Sequence, residues 1–221
     1  MKITPTNNIG QLAAKHPETT RIFDRYKINY CCGGDRTLQQ ACDKLGLNID
    51  NIQTELQNIL AMPATAEKSW DHATTEELIK HILVHYHEPL KEELPRLEKL
   101  MNKVVKAHSD KAPDVLPKLQ AIFQAAKAEL DEHLLKEEQV LFPMILSKNT
   151  SMLSAPLSVM KAEHEELGES LKLMREITKN YELDPNACNT WRALWHGLES
   201  FEKEMHEHLH LENNILFLNC Q

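Results

Sequence analysis

Two ten-residue stretches, HLLKEEQVLF at residues 133–142 and HLHLENNILF at residues 208–217, decide the fold. Each begins with a histidine, carries a glutamate four residues later and ends in Leu-Phe. On an α-helix, side chains four residues apart lie on the same face and reach the same neighbouring volume. A single His-x-x-x-Glu is expected by chance in a chain with 12 His and 33 acidic residues. Its repetition with the same flanking residues predicts two helices that supply metal ligands.

Four long amphipathic patterns surround these stretches and predict an all-α protein. Short loops between long helices favour an antiparallel up-down four-helix bundle. The capping box formed by Thr74 and Glu77 marks the first helix start. Pro95 and Pro143 should distort their helices. The predicted helices run from Thr74 to about Ala107, from the Pro113–Pro117 stretch to about Leu146, from Ala155-Pro156 to Lys179-Asn180, and from Asp184-Pro185 to about Leu218.

A smaller helical unit precedes the bundle. Residues 1–62 contain short helical segments with breaks at Ile28–Asp35 and Gly46–Asp50. The stretch from Met62 to Ser69 has the composition of a linker. We therefore expect a small helical domain at 1–62 and a bundle at 72–221.

Six side chains that can bind a metal fall on the apolar stripes of the four predicted helices, at about 100° per residue. No Lys or Arg lies on these stripes, and an uncompensated buried carboxylate is costly. A cation held between the helices would compensate it. These six residues are His87, His133, Glu137, His164, His208 and Glu212, whereas His81, His85, His206 and His210 point elsewhere.

The spacing of the six residues divides the bundle into two similar halves. His87 and His133 are 46 residues apart, and His164 and His208 are 44 apart. Each half supplies a lone histidine and then a His-x-x-x-Glu pair, which predicts two metal ions bridged by the two carboxylates. Imidazole and carboxylate suit iron or manganese, with zinc as an alternative. A single core histidine is more often a hydrogen-bonded packing residue, but this alternative fits the duplicated set poorly.

Composition excludes several classes of function. The formal charge of −8 and the lack of a basic cluster argue against a nucleic-acid partner. No apolar run approaches the roughly 20 residues that span a bilayer, and the N-terminus lacks the apolar core of a secretion signal. Five cysteines, two of them adjacent, do not form a disulfide framework. We expect a cytoplasmic protein without a membrane partner.

The adjacent thiols of Cys31 and Cys32 allow two interpretations. They are either small apolar side chains packed in a turn before Gly33-Gly34, or a reactive pair on a mobile turn that binds iron or meets nitrosyl species. Cys42 is a candidate resolving thiol for the second interpretation. Cys188 and Cys220 are expected to pack or to lie near the end of the chain.

The set of six ligands with the phrases KEEQVLFP (136–143) and LENNILF (211–217) resembles the hemerythrin-like di-iron bundle. Oxygen-carrying hemerythrins use five histidines, whereas this chain has Glu212 where a further histidine might stand, which weakens an oxygen-carrier interpretation. The segment YKINYCCGG (26–34) with Thr37-Leu38 resembles the N-terminal domain of the repair-of-iron-centres family, the YtfE/ScdA/DnrN type. Together the two resemblances cover essentially the whole chain.

The resemblance implies a cytosolic stress protein with two iron ions per chain, bridged by oxo or hydroxo and by Glu137 and Glu212. It implies that all six ligands bind iron and that the protein repairs iron–sulfur clusters damaged by nitric oxide or oxidative stress. Its partners would be damaged iron–sulfur proteins and small molecules such as nitric oxide or oxygen species. Whether the chain forms a homodimer is left open.

Four interpretations remain compatible with the sequence, and one of them is a purely structural bundle, for which His133→Ala and Glu212→Ala would leave stability unchanged or improved. The other three are functions. The first is repair by iron donation or by removal of nitrosyl damage, with Cys31 and Cys32 taking part. The second is enzymatic reduction of nitric oxide or peroxide at the di-iron centre. The third is a hemerythrin-like oxygen or redox sensor.

Overall fold

The computed structural model describes residues 2–61, 70, 72–147, 152–185 and 187–220. Within these residues the secondary structure is helical and contains no strand, only an isolated bridge between Asn8 and Thr37. The predicted all-α class is confirmed. The predicted linker, Met62 to Ser69, lies outside the described residues. No described helix is long and apolar enough to cross a membrane.

Contacts divide the chain into two compact units, one of Met1–Lys80 with His206–Gln221 and one of His81–Met205. This division places the last residues of the chain with the N-terminal unit. The boundaries at 1–62 and 72–221 stay predictions.

The N-terminal part of the first unit packs short helices around its own core. The helix Leu38–Leu45 begins with a capping box between Thr37 and Gln40 and ends at Gly46, whose φ of 65° suits glycine. The first predicted break is confirmed, and the second is shorter than predicted. The core includes Phe23, Tyr30, Leu38, Ile52 and Leu56. The helices are α1 (Ile9–Lys15), a 3₁₀ turn (Pro17–Thr19), α2 (Thr20–Arg25), α3 (Leu38–Leu45) and α4 (Ile49–Ala61).

The long helices of the chain supply the second unit, and the residues before His81 and after Met205 are counted with the first unit. Three of the four predicted helices agree with the structure to within a few residues, and Thr74 and Glu77 form the predicted capping box. In the described part of the chain, three five-residue π-helical segments interrupt the α-helical pattern. The elements from Thr75 onwards are α5 (Thr75–Ile82), a π segment (Leu83–His87), α6 (Glu88–His108), α7 (Leu116–Lys136), a π segment (Glu137–Leu141), α8 (Phe142–Leu146), α9 (Ser154–Ile177), α10 (Asn189–Leu211) and a π segment (Glu212–Leu216).

Contacts between the ends of helices show their antiparallel order. Lys91 near the start of α6 binds Glu138 just beyond the end of α7. Gln120 near the start of α7 donates to Asn102 near the end of α6. Helices α6 and α7 therefore run in opposite directions, as the up-down bundle requires.

The predicted start of the fourth helix at Asp184-Pro185 is wrong, because α10 begins at Asn189. Asp184 instead accepts the N–H of Ala187 in a turn. The carbonyls of Pro185 and Ala187 accept hydrogen bonds from the Arg192 side chain rather than from helix N–H groups. Asp184 and Pro185, which have the chemistry of a helix start, thus form a loop instead.

Candidate metal centre

Four of the six predicted ligands converge inside the second unit. The Glu137 carboxylate lies at the centre, with Oε2 at 3.5 Å from His87 Nε2 and Oε1 at 3.4 Å from His133 Nε2. Oε1 also lies 3.9 Å from His164 Nε2. The Nε2 atoms of His133 and His164 are 3.0 Å apart. His133, Glu137 and His164 thus offer ligand atoms within 4.8 Å of one another.

These side chains are almost completely buried. His87, Glu137 and His164 have no exposed surface, and His133 is 4% exposed. Neither carboxylate oxygen of Glu137 has a hydrogen-bond partner among the described residues. A buried carboxylate without such partners destabilises a fold unless a positive charge compensates it. Donor atoms sharing one ion at about 2.1 Å lie roughly 3 Å apart, so this donor set fits a metal ion.

The remaining two predicted ligands lie in the first unit, as a pair. His208 and Glu212 are completely buried. His208 Nε2 lies 2.9 Å from Glu212 Oε1, the i,i+4 contact that the sequence predicts. The continuation of α10 into the following π segment carries both residues.

Each π segment adjoins a predicted ligand. The three segments end at His87, begin at Glu137 and begin at Glu212. A π turn inserts one extra residue into an α-helix and is frequent at functional sites. Pro89 and Pro143 each lie two residues beyond the end of a π segment. A proline cannot donate a backbone hydrogen bond to the preceding turn, so these prolines were the sequence signal of the interruption. The distortion predicted at Pro143 thus lies on its N-terminal side.

Two outer carboxylates that sequence reasoning missed contact the histidines from behind. Glu138 lies 3.0 Å from His87 Nδ1, and Glu163 lies 2.8 Å from His133 Nδ1. Partial burial raises the pKa of each carboxyl, but hydrogen bonds to the histidine and to a lysine lower the pKa by more. Both groups therefore stay ionised. Each stands next to a predicted ligand in the sequence, which is the only signal that could have found it.

A cavity of about 140 Å³ opens beside two of the histidines. Its lining includes His133 and His164 together with Glu163 and Lys136. A space of this size holds a few waters or a small molecule. Two predicted metal ligands thus line the cavity.

The Cys31-Cys32 turn is anchored within the first unit. The two Sγ atoms are 3.3 Å apart, Cys31 is buried and Cys32 is half-buried. Asn29 Oδ1 accepts the N–H groups of Cys32 and Gly33. Asn213 and Asn214 donate to the carbonyl of Cys31. The turn expected to be mobile is thus hydrogen-bonded to the π segment that begins at Glu212.

The other cysteines have different surroundings. Cys42 lies in the core of the N-terminal helices, and burial raises the pKa of its thiol. Cys220 is buried and donates to the carbonyl of Leu216. Cys188 is exposed, with its Sγ 3.2 Å from Nε2 of His108. The burial of Cys42 weighs against its role as a resolving thiol.

His210 was expected to point away from the metal, and it is buried among first-unit residues. Its ring packs edge-on against Tyr30 at 5.3 Å, and its Nδ1 lies 3.0 Å from Asn214 Nδ2. Burial lowers the pKa of His210 to about 4. The side chain is therefore neutral at physiological pH and belongs to the packing around the cysteine turn.

Comparison with known proteins covers nearly all of the chain. The family profile described as "Hemerythrin HHE cation binding domain" matches residues 78–218. The ScdA_N profile, described as "Domain of Unknown function (DUF542)", matches residues 6–60. The chain is 40% identical over 209 residues to "Iron-sulfur cluster repair protein YtfE" of Escherichia coli O81 (strain ED1a), covering 95% of this chain and 94% of that protein. Proteins of the same name from Escherichia coli O1:K1 / APEC and Escherichia fergusonii match to the same extent.

Proposed function

This chain belongs to the family of iron–sulfur cluster repair proteins with a hemerythrin HHE cation-binding domain, and from that premise we propose that it repairs damaged iron–sulfur clusters with iron held in this domain. The proposal covers damage by nitric oxide and by oxidative stress. The family membership inferred from the sequence is thereby confirmed.

The observation that carries the proposal is the buried carboxylate of Glu137. Three histidine Nε2 atoms lie within 3.9 Å of it, and its oxygens have no hydrogen-bond partner among the described residues. Imidazole with carboxylate is a donor set that suits iron. We propose a di-iron centre in which His87, His133, Glu137 and His164 act together with His208 and Glu212. The duplicated spacing and the complete burial of His208 and Glu212 support their inclusion.

Bound iron would supply redox chemistry toward small molecules and a store of releasable iron. Two carboxylates for two ions form a site of modest negative charge, which favours release over permanent retention. Cys31 and Cys32 are proposed to assist, because thiols bind iron well and their turn is hydrogen-bonded to the segment that begins with Glu212. In this scheme the residues of the bundle hold iron and the thiols take part in its release.

Transfer of iron to a cluster protein tests the proposal. An iron–sulfur enzyme damaged by nitric oxide would be incubated with the iron-loaded protein in the presence of sulfide and a thiol. The activity of the damaged enzyme would then be followed over time. Wild type should restore activity, Glu137→Gln should not, and Glu169→Gln should match wild type because Glu169 is an exposed partner of Lys172. Equal recovery with Glu137→Gln would contradict the proposal.

The cavity supports a second candidate, reduction of nitric oxide or peroxide at the same centre. It reaches His133 and His164, so a diatomic molecule or peroxide has a place beside the metal ligands. Consumption of nitric oxide by the reduced protein, without any acceptor protein, separates this activity from repair by donation. Turnover that continues when the iron content stays constant favours reduction, whereas iron loss matched to acceptor recovery favours donation.

We propose the cytosol as the place of action. No disulfide joins the five cysteines, all of which lie in the described part of the chain, and this suits a reducing compartment. Cell fractionation checks this location.

A further inference from the structure

Two histidines among the proposed ligands share one arrangement on their outer side. His87 Nδ1 contacts Glu138 at 3.0 Å, and His133 Nδ1 contacts Glu163 at 2.8 Å. In each case the carboxylate comes from a neighbouring helix and is only about a quarter exposed, while the ring is buried. The same contact thus occurs twice.

This contact fixes which ring nitrogen carries the proton. An ionised carboxylate only accepts hydrogen bonds, so Nδ1 must be the donor in both rings. The neutral ring then presents an unprotonated Nε2, which is the atom that faces Glu137 at 3.5 Å for His87 and 3.4 Å for His133. Both rings are thereby oriented with a lone pair toward the centre.

A lysine follows each histidine by one helical turn and binds the same carboxylate. Lys91 Nζ lies 3.1 Å from Glu138 Oε1, and Lys136 Nζ lies 2.6 Å from Glu163 Oε1. The lysine draws negative charge away from the histidine. The glutamate therefore raises the electron-donating strength of the imidazole ring, and the lysine lowers it, although both belong to one hydrogen-bonded network.

We propose that Glu138 and Glu163 are positioning residues that set the tautomer and the electron-donating strength of His87 and His133, and that Lys91 and Lys136 moderate this donation. This inference rests on the proposed function, since it treats the two histidines as iron ligands. Carboxylates behind a ligating histidine raise its basicity, and their loss typically weakens metal binding 10–100-fold. Because one such carboxylate stands behind each of two histidines, both contribute to holding iron and to its reduction potential.

The test compares four single variants with wild type and with the control Glu169→Gln. Glu138→Gln and Glu163→Gln should weaken iron binding about 10–100-fold in chelator competition and move the midpoint potential in the positive direction. Lys91→Met and Lys136→Met should move the potential in the negative direction and leave iron binding equal or tighter. A merely structural network predicts that all four variants loosen iron alike and leave the potential unchanged. Shifts of the same sign, or no difference from Glu169→Gln, would overturn the inference.

Imidazole ¹⁵N NMR of the metal-free protein separates this inference from the proposed function. Wild type should show His87 and His133 protonated at Nδ1 with or without iron, and the glutamine variants should show a mixture of tautomers. If wild type binds no iron, the proposed function fails while the NMR still reads the tautomers. If iron binds normally and both rings carry their proton on Nε2 and not on Nδ1 in the metal-free protein, this inference alone fails.

Discussion

The side-chain amide of Asn214 lies 3.0 Å from the carbonyl oxygen of Cys31 and so anchors the thiol turn. The same nitrogen lies 3.1 Å from the carbonyl oxygen of Tyr30. Gly10 and Gly34 lie against the Asn214 side chain so closely that a Cβ at either would come within 2.3 Å of its Oδ1. The helical segment that follows Glu212 is thus fitted to the turn that carries both cysteines.

Removing this anchor should destabilise the turn. Asn214→Ala removes the amide that donates to the Tyr30 carbonyl and leaves the Cys31 carbonyl with the longer contact from Asn213, which should lower the free energy of unfolding by about 1–3 kcal/mol. The Cys31 thiol should also react faster with an alkylating reagent. Denaturant unfolding and timed alkylation measure the two effects, and Asn219→Ala, at an exposed position of the same segment, should change neither. An unaltered alkylation rate in Asn214→Ala would speak against the anchoring role.

Glu137→Gln should have opposite effects on metal binding and on the stability of the metal-free protein. Without metal, a neutral amide is easier to bury than a carboxylate, so the metal-free variant should be more stable than wild type by about 1–3 kcal/mol. The same change removes a proposed bridging ligand, so iron content should fall. Thermal unfolding and iron analysis check both. A less stable metal-free variant would show that the carboxylate serves packing rather than metal binding.

An ion pair between buried Glu202 and half-buried Arg175 should contribute to the stability of the second unit. Glu202 accepts from Arg175 at 2.6 Å and from the Tyr181 hydroxyl at 2.9 Å. Glu202→Ala leaves a half-buried guanidinium without its carboxylate and the Tyr181 hydroxyl without its acceptor, and should cost about 1–3 kcal/mol. The exposed pair of Lys172 with Glu169 offers the control, because Glu169→Ala should cost at most about 1 kcal/mol. Comparable losses from both variants would be inconsistent with the burial of the first pair.

The π segment from Glu137 to Leu141 should be required for the direction of the Glu137 side chain. Deletion of the exposed Val140 removes the extra residue and should restore a regular α-helix that keeps Phe142 and Ile145 on the core side. We expect a lower iron content, because the turn that carries Glu137 changes its shape. Val140→Ala keeps the extra residue, so it should change stability by no more than about 0.5 kcal/mol and bind iron as wild type does. A deletion variant with as much iron as Val140→Ala would contradict this role of the segment.

The all-α fold and the burial of the six predicted ligands followed from one simple property. Histidine and glutamate on otherwise apolar stripes stand out, because such polar groups are costly to bury alone. A constant 100° per residue still predicted the burial of these residues, since each π segment begins or ends at one of them. The extra residue of a π segment shifts the direction of side chains only for the residues on its far side.

Other features could not be predicted from the sequence, because they depend on contacts between distant parts of the chain. Glu138 and Glu163 resemble any charged residue on an outer helix face, and only the neighbouring helix shows which atom they contact. Asp184-Pro185 has the chemistry of a helix start, but Arg192 satisfies the loop carbonyls and the helix begins later. Asn213 and Asn214 give no periodic signal, because their partners lie far away in the sequence.

Iron quantification on protein purified without added metal shows whether iron neutralises the buried carboxylates. If the buried carboxylates persist because iron neutralises them, the folded protein should contain about two iron ions per chain, and Glu137→Gln should contain clearly less. A well-folded wild-type protein that contains no metal and takes up none on incubation with ferrous iron would contradict the account.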